Sequence, residues 1–232
     1  NWTLDGWRTA WGGDMSTMGV AEAMSNSIIY ALCTLLIALP LGWILASTIF
    51  KLEQNGWSKT SKLLDLACML PLAVSALMVG LGVLLGGLRW YPEMFGWFLL
   101  PVYPHVLLTV PFVVRVMLPA YHSLDPAFSE QCQMLNLSPL RSWYHGKLMF
   151  LRGPAVVAGS LTLAFSLGEF GASWLLVRSG NWDTLSIVVD QLMSRPNFDP
   201  LIHTTAMAAA TMLMLLTFTL FILAERFRAH DD

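Results

Sequence analysis

Charge is what this chain has least of. Only 12% of its 232 residues are Asp, Glu, Lys or Arg, about half the usual share, while 56% are hydrophobic. A soluble domain of this size can bury a large core, but it does not keep charge out of whole stretches of twenty residues. This is an integral membrane protein. Three cysteines, Cys33, Cys68 and Cys132, show neither paired nor metal-like spacing, so disulfides and zinc are not expected. The five histidines are scattered and form no HExxH cluster. No GxxxxGK[ST] segment occurs, so the chain lacks the backbone cradle that holds ATP phosphates. No catalytic group, cofactor, metal or nucleic-acid partner is expected, and there is no internal repeat or low-complexity segment. The chain opens at Asn1 without Met or a signal peptide, so it is expected to be a fragment or one half of a longer polypeptide.

What is present is a series of long apolar runs, which define an all-α helical bundle. Residues 1–22 carry Trp2, Trp7 and Trp11 among a few charges and read as a periplasmic or interfacial segment. Ala23 to Phe50 is free of charge and long enough to cross a hydrocarbon core of about 30 Å. Leu66 to Leu88 is a second such run, with Gly80, Gly82, Gly86 and Gly87 available for close helix approach. Met94 to Val114 forms a third, interrupted by Pro101, Pro104 and Pro111. A fourth runs from about Leu148 to Val177, broken at Gly168-Glu169-Phe170-Gly171. A short helix is expected over Thr184 to Met193, and a fifth span over Thr204 to Ala224. The membrane domain thus occupies residues 23–228 and leaves a tail at 229–232. Nine of the 13 Lys and Arg residues fall on the side of Lys51, Arg141 and Arg228, which the positive-inside rule places in the cytoplasm. Five spans with a cytoplasmic C-terminus put Asn1 outside, so a sixth, N-terminal helix is expected to be missing.

The polar insert at 120–147 organises the rest. Asp125-Pro126 reads as an N-cap followed by proline at the first helical position. Phe128, Cys132 and Leu135 recur at i, i+4 and i+7 to form a narrow apolar stripe. Asn136 fits the helix stop, and Ser138-Pro139 restarts a helix carrying Arg141, Trp143, Tyr144 and Lys147 into the next span. A capped helix that cannot bury its stripe alone is a docking surface, although a plain connector between spans is the competing reading.

This insert resembles the cytoplasmic loop of binding-protein-dependent ABC importer permeases of the MetI-like class, whose pattern is Glu-Ala-Ala, three residues, Gly, nine residues, Ile-x-Leu-Pro. Glu130 holds the Glu, Gln131 and Cys132 replace the alanines, and Asn136 replaces the Gly. Gly146, Leu148 and Met149 stand where Ile, Leu and Pro are expected, while Ser138-Pro139-Leu140-Arg141 fits the usual continuation. Ser25-Asn26-Ser27, Pro40-Leu41-Gly42 and Val110-Pro111 are similar to the same family. Phe165-Ser166-Leu167-Gly168-Glu169-Phe170-Gly171-Ala172 resembles the C-terminal halves of two-domain ferric iron and thiamine permeases. The resemblance implies a permease core in the bacterial inner membrane. Its implied partners are a second permease half or subunit, cytoplasmic ATP-binding subunits and a periplasmic substrate-binding protein, with membrane lipid around it. Phe128, Glu130, Gln131, Cys132, Leu135, Asn136, Ser138, Pro139 and Arg141 are then the expected coupling residues.

Glu169 is the one carboxylate inside an apolar run. A carboxylate at a helix centre costs about 2.5–3.5 kcal/mol on insertion scales, and roughly a dozen apolar neighbours at about -0.3 to -0.6 kcal/mol each offset it. With Ser166, Gly168 and Phe170 it is a candidate for the translocation path. The alternative is a carboxylate bonded to backbone N–H groups freed at the glycine-flanked break. His105 reads as a hydrogen-bonded histidine of the bundle. The segment from Asn181 to Pro200 fits a binding-protein contact or a lid equally.

Alternating access in an ATP-driven importer of a small solute, of ferric iron or thiamine type, is the leading expectation. A membrane-embedded enzyme or a structural membrane subunit is the alternative. Reporter fusions at Trp57, Trp143 and Arg228 should report cytoplasmic, and those at Tyr91 and Trp182 periplasmic. A periplasmic signal at Trp143 would put the insert on the wrong side for any ATPase.

Overall fold

A computed structural model describes residues 4–12, 16, 18–124, 134–135, 138–177, 182–196 and 200–229. Every regular element among them is helical. The short α1 (Asp5–Gly12) leads to α2 (Val20–Gln54), a 35-residue helix with Glu22 in its first turn and Lys51 in its last, the charge placement the helix dipole favours. Pro40 lies within α2 without ending it. Gly56 does end it: its φ of 80° is open to glycine at little cost. Gly56 N donates to Glu53 O at 3.1 Å and Trp57 N to Leu52 O at 2.9 Å, a Schellman closure that turns the chain into α3 (Ser58–Ala73).

The second apolar run is not one helix. Alpha3 stops after Pro71, Val74 is extended, and Ser75 caps a new helix, α4 (Ala76–Trp90), by accepting from Met78 N at 3.3 Å. The two helices bend by 96°. Pro71 supplies no N–H and Ser75 offers a side-chain acceptor, so the local chemistry favours a stop and restart over continuation. The third span also begins later than expected. Met94 lies in a 3₁₀ turn (Pro92–Gly96), and α5 runs from Val102 to His122 with Pro111 inside it rather than breaking it.

After the polar insert, α6 (Pro139–Ser142) passes through a π-helical turn (Trp143–Lys147) into α7 (Leu148–Gly168). The restart at Pro139 and its continuity with the span agree with the sequence pattern. Alpha7 stops at Gly168, and α8 (Gly171–Leu176) is a separate six-residue helix. Alpha9 (Leu185–Met193) and α10 (Pro200–Ala229) complete the chain. Four helices (α2, α5, α7 and α10) are long and apolar enough to cross a membrane, and the bent α3–α4 pair adds a fifth where its two helices are counted as one broken span.

Two apolar clusters hold the bundle. One joins Ala46 and Ile49 of α2 to Val113, Val114 and Met117 of α5 and Leu151 of α7. The other joins Val20 and Ala23 of α2 to Leu185 and Val188 of α9 and Ala206 and Ala209 of α10, with Ala10 of α1. Outward faces remain apolar: Leu36 is 72% exposed and Phe218 61%, the pattern of helices whose solvent is lipid.

Of the four α4 glycines, only Gly80 serves helix approach, lying against Ala172 of α8. Gly87 faces Phe95, Gly86 meets Trp90 of its own helix, and Gly82 faces open space. Gly42 of α2 is tighter still, since a Cβ there would sit 2.5 Å from Val113 Cβ. Gly42→Ala should therefore lower stability by about 1–3 kcal/mol through overpacking. Gly82→Ala should be neutral or gain up to about 1 kcal/mol of helix propensity. Thermal unfolding of the two variants in detergent checks this; equal melting points would refute the close α2–α5 contact.

Candidate functional site

A polar layer lies along α2 between the two apolar clusters. Thr34 of α2, His105 of α5, Ser166 of α7, Ser173 of α8 and Glu169 between α7 and α8 are all buried. His105 Nε2 lies 3.2 Å from Glu169 Oε2 and 2.8 Å from Ser173 Oγ, and Nδ1 lies 2.7 Å from Ser166 Oγ. Ser166 Oγ in turn donates to Thr34 Oγ1 at 3.4 Å. Both ring nitrogens of His105 thus have polar partners.

Glu169 is the hub. It is the extended residue between α7 and α8, with φ of -71° and ψ of 122°. Its Oε1 accepts from Ala172 N at 2.9 Å, and Oε2 accepts from Ser173 N at 3.2 Å and Ser173 Oγ at 3.3 Å. These are two of the N–H groups that a helix start leaves without intrahelical partners, and a negative charge there also suits the dipole. Ser186 Oγ of α9 donates to Glu169 O at 3.2 Å, and Leu185 N donates to Ser27 Oγ of α2 at 2.9 Å. One buried residue therefore links α5, α7, α8 and α9.

Ser166, His105 and Glu169 lie in line like a nucleophile, base and orienting acid. A hydrolytic site needs substrate access to the serine, and Ser166 is 4% exposed with His105 at 0%. Neither lines the neighbouring cleft. These groups are spent on one another, so the constellation does not support the enzyme alternative. Among the described residues no cluster of His, Cys, Asp or Glu is arranged to hold a metal ion.

The cleft itself, about 330 Å³, is lined by Ala76, Ala164, Phe165, Gly168, Glu169 and Phe170. Three of the four sequence-derived path candidates meet there, while Ser166 faces inward to His105. The other wall is the start of α4: a Cβ on Gly171 would lie 3.4 Å from Leu77 N. The α3–α4 break and the α7–α8 break therefore face each other across one opening. The sequence reading missed the first break; it expected His105 to be a hydrogen-bonded histidine of the bundle, as found, but not its pairing with Glu169. Its signals were Pro71 followed by Ser75, and a polar side chain four residues ahead of Thr109, whose hydroxyl bonds His105 O at 2.7 Å.

Most of the expected coupling residues, Phe128, Glu130, Gln131, Cys132 and Asn136, lie outside the described residues. Of the others, Leu135 is 71% exposed, and Ser138 and Arg141 are also exposed. Pro139 opens α6.

Comparison with known proteins places this geometry. No protein-family model matches the chain. A protein of Salmonella paratyphi A named for 2-aminoethylphosphonate transport as a permease is 28% identical over 197 residues, covering 84% of this chain and 72% of that protein. The thiamine transport system permease of Haemophilus influenzae is 28% identical over 214 residues, covering 91% of this chain but 38% of that longer protein. A sulfate transport system permease of Escherichia coli is 28% identical, covering 84% and 69%. Among solved structures, an inward-facing MetNI methionine ABC transporter aligns with a TM-score of 0.68 at 15% identity, covering 92% of this chain and 94% of that one. A bacterial alginate ABC transporter aligns at 0.72 and 18%, covering 96% and 81%. In sequence and in fold the chain resembles the MetI-like permeases of ABC importers for small solutes, which are transport proteins and not enzymes.

Removing the hub carboxylate should loosen the break. Glu169→Ala leaves His105 and the Ala172 and Ser173 N–H groups without their acceptor, a loss of about 3–5 kcal/mol for a broken buried pair. Glu169→Gln keeps one acceptor oxygen and should lose less. Thermal unfolding of both variants tests this, and equal stability of Glu169→Ala and the unsubstituted chain would exclude the hub role.

Proposed function

We propose that this chain is one transmembrane half of an ATP-driven importer, working with a second permease half or subunit, two cytoplasmic ATP-binding subunits and a periplasmic substrate-binding protein. The observation that carries the reading is the meeting of two broken spans at one cleft in this fold. Discontinuous helices can turn their ends toward a solute while packed neighbours satisfy the freed backbone. Alternating access then consists of moving the α4 side against the α7–α8 side, so that the cleft opens first to one face and then to the other.

Gly168, Glu169 and Phe170 are the path residues in this reading, with Ser166 acting behind them through His105. A solute of ferric iron or thiamine type is supported by the Gly168-Glu169-Phe170-Gly171 motif, and the thiamine relative supports the same choice. The lysines and arginines near Lys51, Arg141 and Arg228 support a cytoplasmic C-terminus in the bacterial inner membrane. With that orientation, residues 120–147 form the coupling loop.

Energy enters through that loop, because the chain has no phosphate cradle of its own. The stripe of Phe128, Cys132 and Leu135 is the docking face, and Glu130 is a charge at its rim. Phe128→Asp should bury an unpaired charge in the interface, a multi-kcal/mol defect. The expected result is normal membrane abundance with loss of ATPase copurification and of uptake. Glu130→Ala should be milder, since a rim charge governs association rate more than packing. Retained ATPase binding and uptake in Phe128→Asp would refute the assignment.

A further inference from the structure

The polar insert leaves the bundle at the end of α5 and re-enters it through α6 and the π-helical turn. Both passages meet the same helix. Trp43 and Phe50 of α2 are seven residues apart, which puts them two turns apart on one face. On the exit side, Tyr121 stacks on Phe50 with ring centres 5.5 Å apart, and Trp43 Nε1 donates to Tyr121 OH at 2.7 Å. The next residue, His122, meets Phe50 edge to face with ring centres 5.3 Å apart, and its Nε2 lies 3.2 Å from Glu53 Oε2. On the return side, the ring of Trp143 lies 6.4 Å from that of Trp43, within the range of a paired aromatic contact. Trp43 therefore meets the chain on both sides of the insert.

The arrangement differs from a belt of interfacial aromatics. Such a belt turns its N–H and OH groups to the headgroup level, whereas Trp43 and Tyr121 turn theirs on each other, and Tyr121 is buried. Gly42, the residue before Trp43, lies against Val113, so the closest approach of α2 to α5 is what brings the two rings within reach. Trp143 opens the π-helical turn, a rare conformation that occurs mostly as single turns and frequently at functional sites. Behind the rings lies one apolar cluster, in which Tyr121 joins Ile49 of α2, Met117 of α5 and Leu151 of α7, with Trp43 and Phe50 packed against it.

We propose that Trp43, Tyr121 and Trp143 form an aromatic clamp that closes the base of the coupling loop on α2. A push on the loop from an ATP-binding subunit then moves α2, α5 and α7 together and reaches the cleft, instead of being spent on spreading the base. The three are positioning residues: they touch neither solute nor nucleotide and act by holding the loop to the helices it must move. The inference rests on the coupling-loop reading but uses none of the residues assigned to the docking face.

The test has two arms, both in the full chain lacking Cys33, Cys68 and Cys132. In nanodiscs, spin labels at Ser123→Cys and Ser142→Cys report the distance across the base of the loop. One narrow distance is expected, and Trp143→Ala should spread it into a broad distribution with helicity unchanged. In the assembled complex, cross-linking between Ala76→Cys and Phe170→Cys reports the cleft. Trp43→Phe and Tyr121→Phe each remove the hydrogen bond and keep a ring. Each should leave copurification of the ATP-binding subunits and ATP hydrolysis intact while cutting the ATP-dependent change in cross-linking about fivefold. The double variant should lose no more than either single one, because the pair acts as a unit. An unchanged distance distribution in Trp143→Ala, or a full cleft response in both phenylalanine variants, would overturn the clamp. Loss of copurification in those variants would make the rings part of the docking face and would equally overturn it. Failure of the loop reading itself shows elsewhere, as retained copurification in Phe128→Asp.

Discussion

A carboxylate inside a membrane span must be met by protein, because lipid cannot solvate it. Glu169 meets that demand with two backbone N–H groups, a serine hydroxyl and an imidazole, and its side chain is 2% exposed. The rest of the arrangement follows from this constraint. The helix has to break so that the α8 amides can reach the carboxylate. Alpha5 has to bring His105 to the break, and Ser166 has to hold the far side of the ring. A buried pair of this kind is a poor source of net stability compared with apolar packing. Its value lies in fixing where the chain bends.

That bend shapes the cleft. Alpha8 is held against α4 through Gly80 and Ala172, with Gly171 beside Leu77. The second break, at Val74 and Ser75, brings the start of α4 to the same opening. Two short helices facing a cleft, each anchored to long helices behind, form an assembly whose halves can shift as bodies. The apolar clusters on either side of the polar layer supply the rigid ends. Motion is then confined to the level where the spans are discontinuous, which is what an alternating-access reading needs.

Much of this was legible in the sequence, for identifiable reasons. Long apolar runs marked the four straight spans closely enough to order the bundle, and Thr184 marked the start of α9. Glu169 stood out because it is the one carboxylate in such a run. The 66–88 run misled because it contains no charge, and an apolar pattern alone does not distinguish one straight helix from two bent ones. Pro71 and Ser75 carried the missing information. His105 gained its meaning from Ser166 and Ser173, which lie 61 and 68 residues away, a separation that local pattern cannot bridge. The glycines of α4 were over-read, since composition does not tell which face of a helix meets a neighbour.

The claim that the cleft between the two breaks is the moving part is open to direct measurement. Ala76→Cys and Phe170→Cys, in a background lacking Cys33, Cys68 and Cys132, place one thiol on each wall. The rate of cross-linking by a short bifunctional thiol reagent is then followed in the assembled complex, with and without ATP. The account predicts a clear change in rate on adding ATP, abolished when the ATP-binding subunits cannot hydrolyse or close. A rate indifferent to nucleotide, in a complex that still imports its solute, would contradict it.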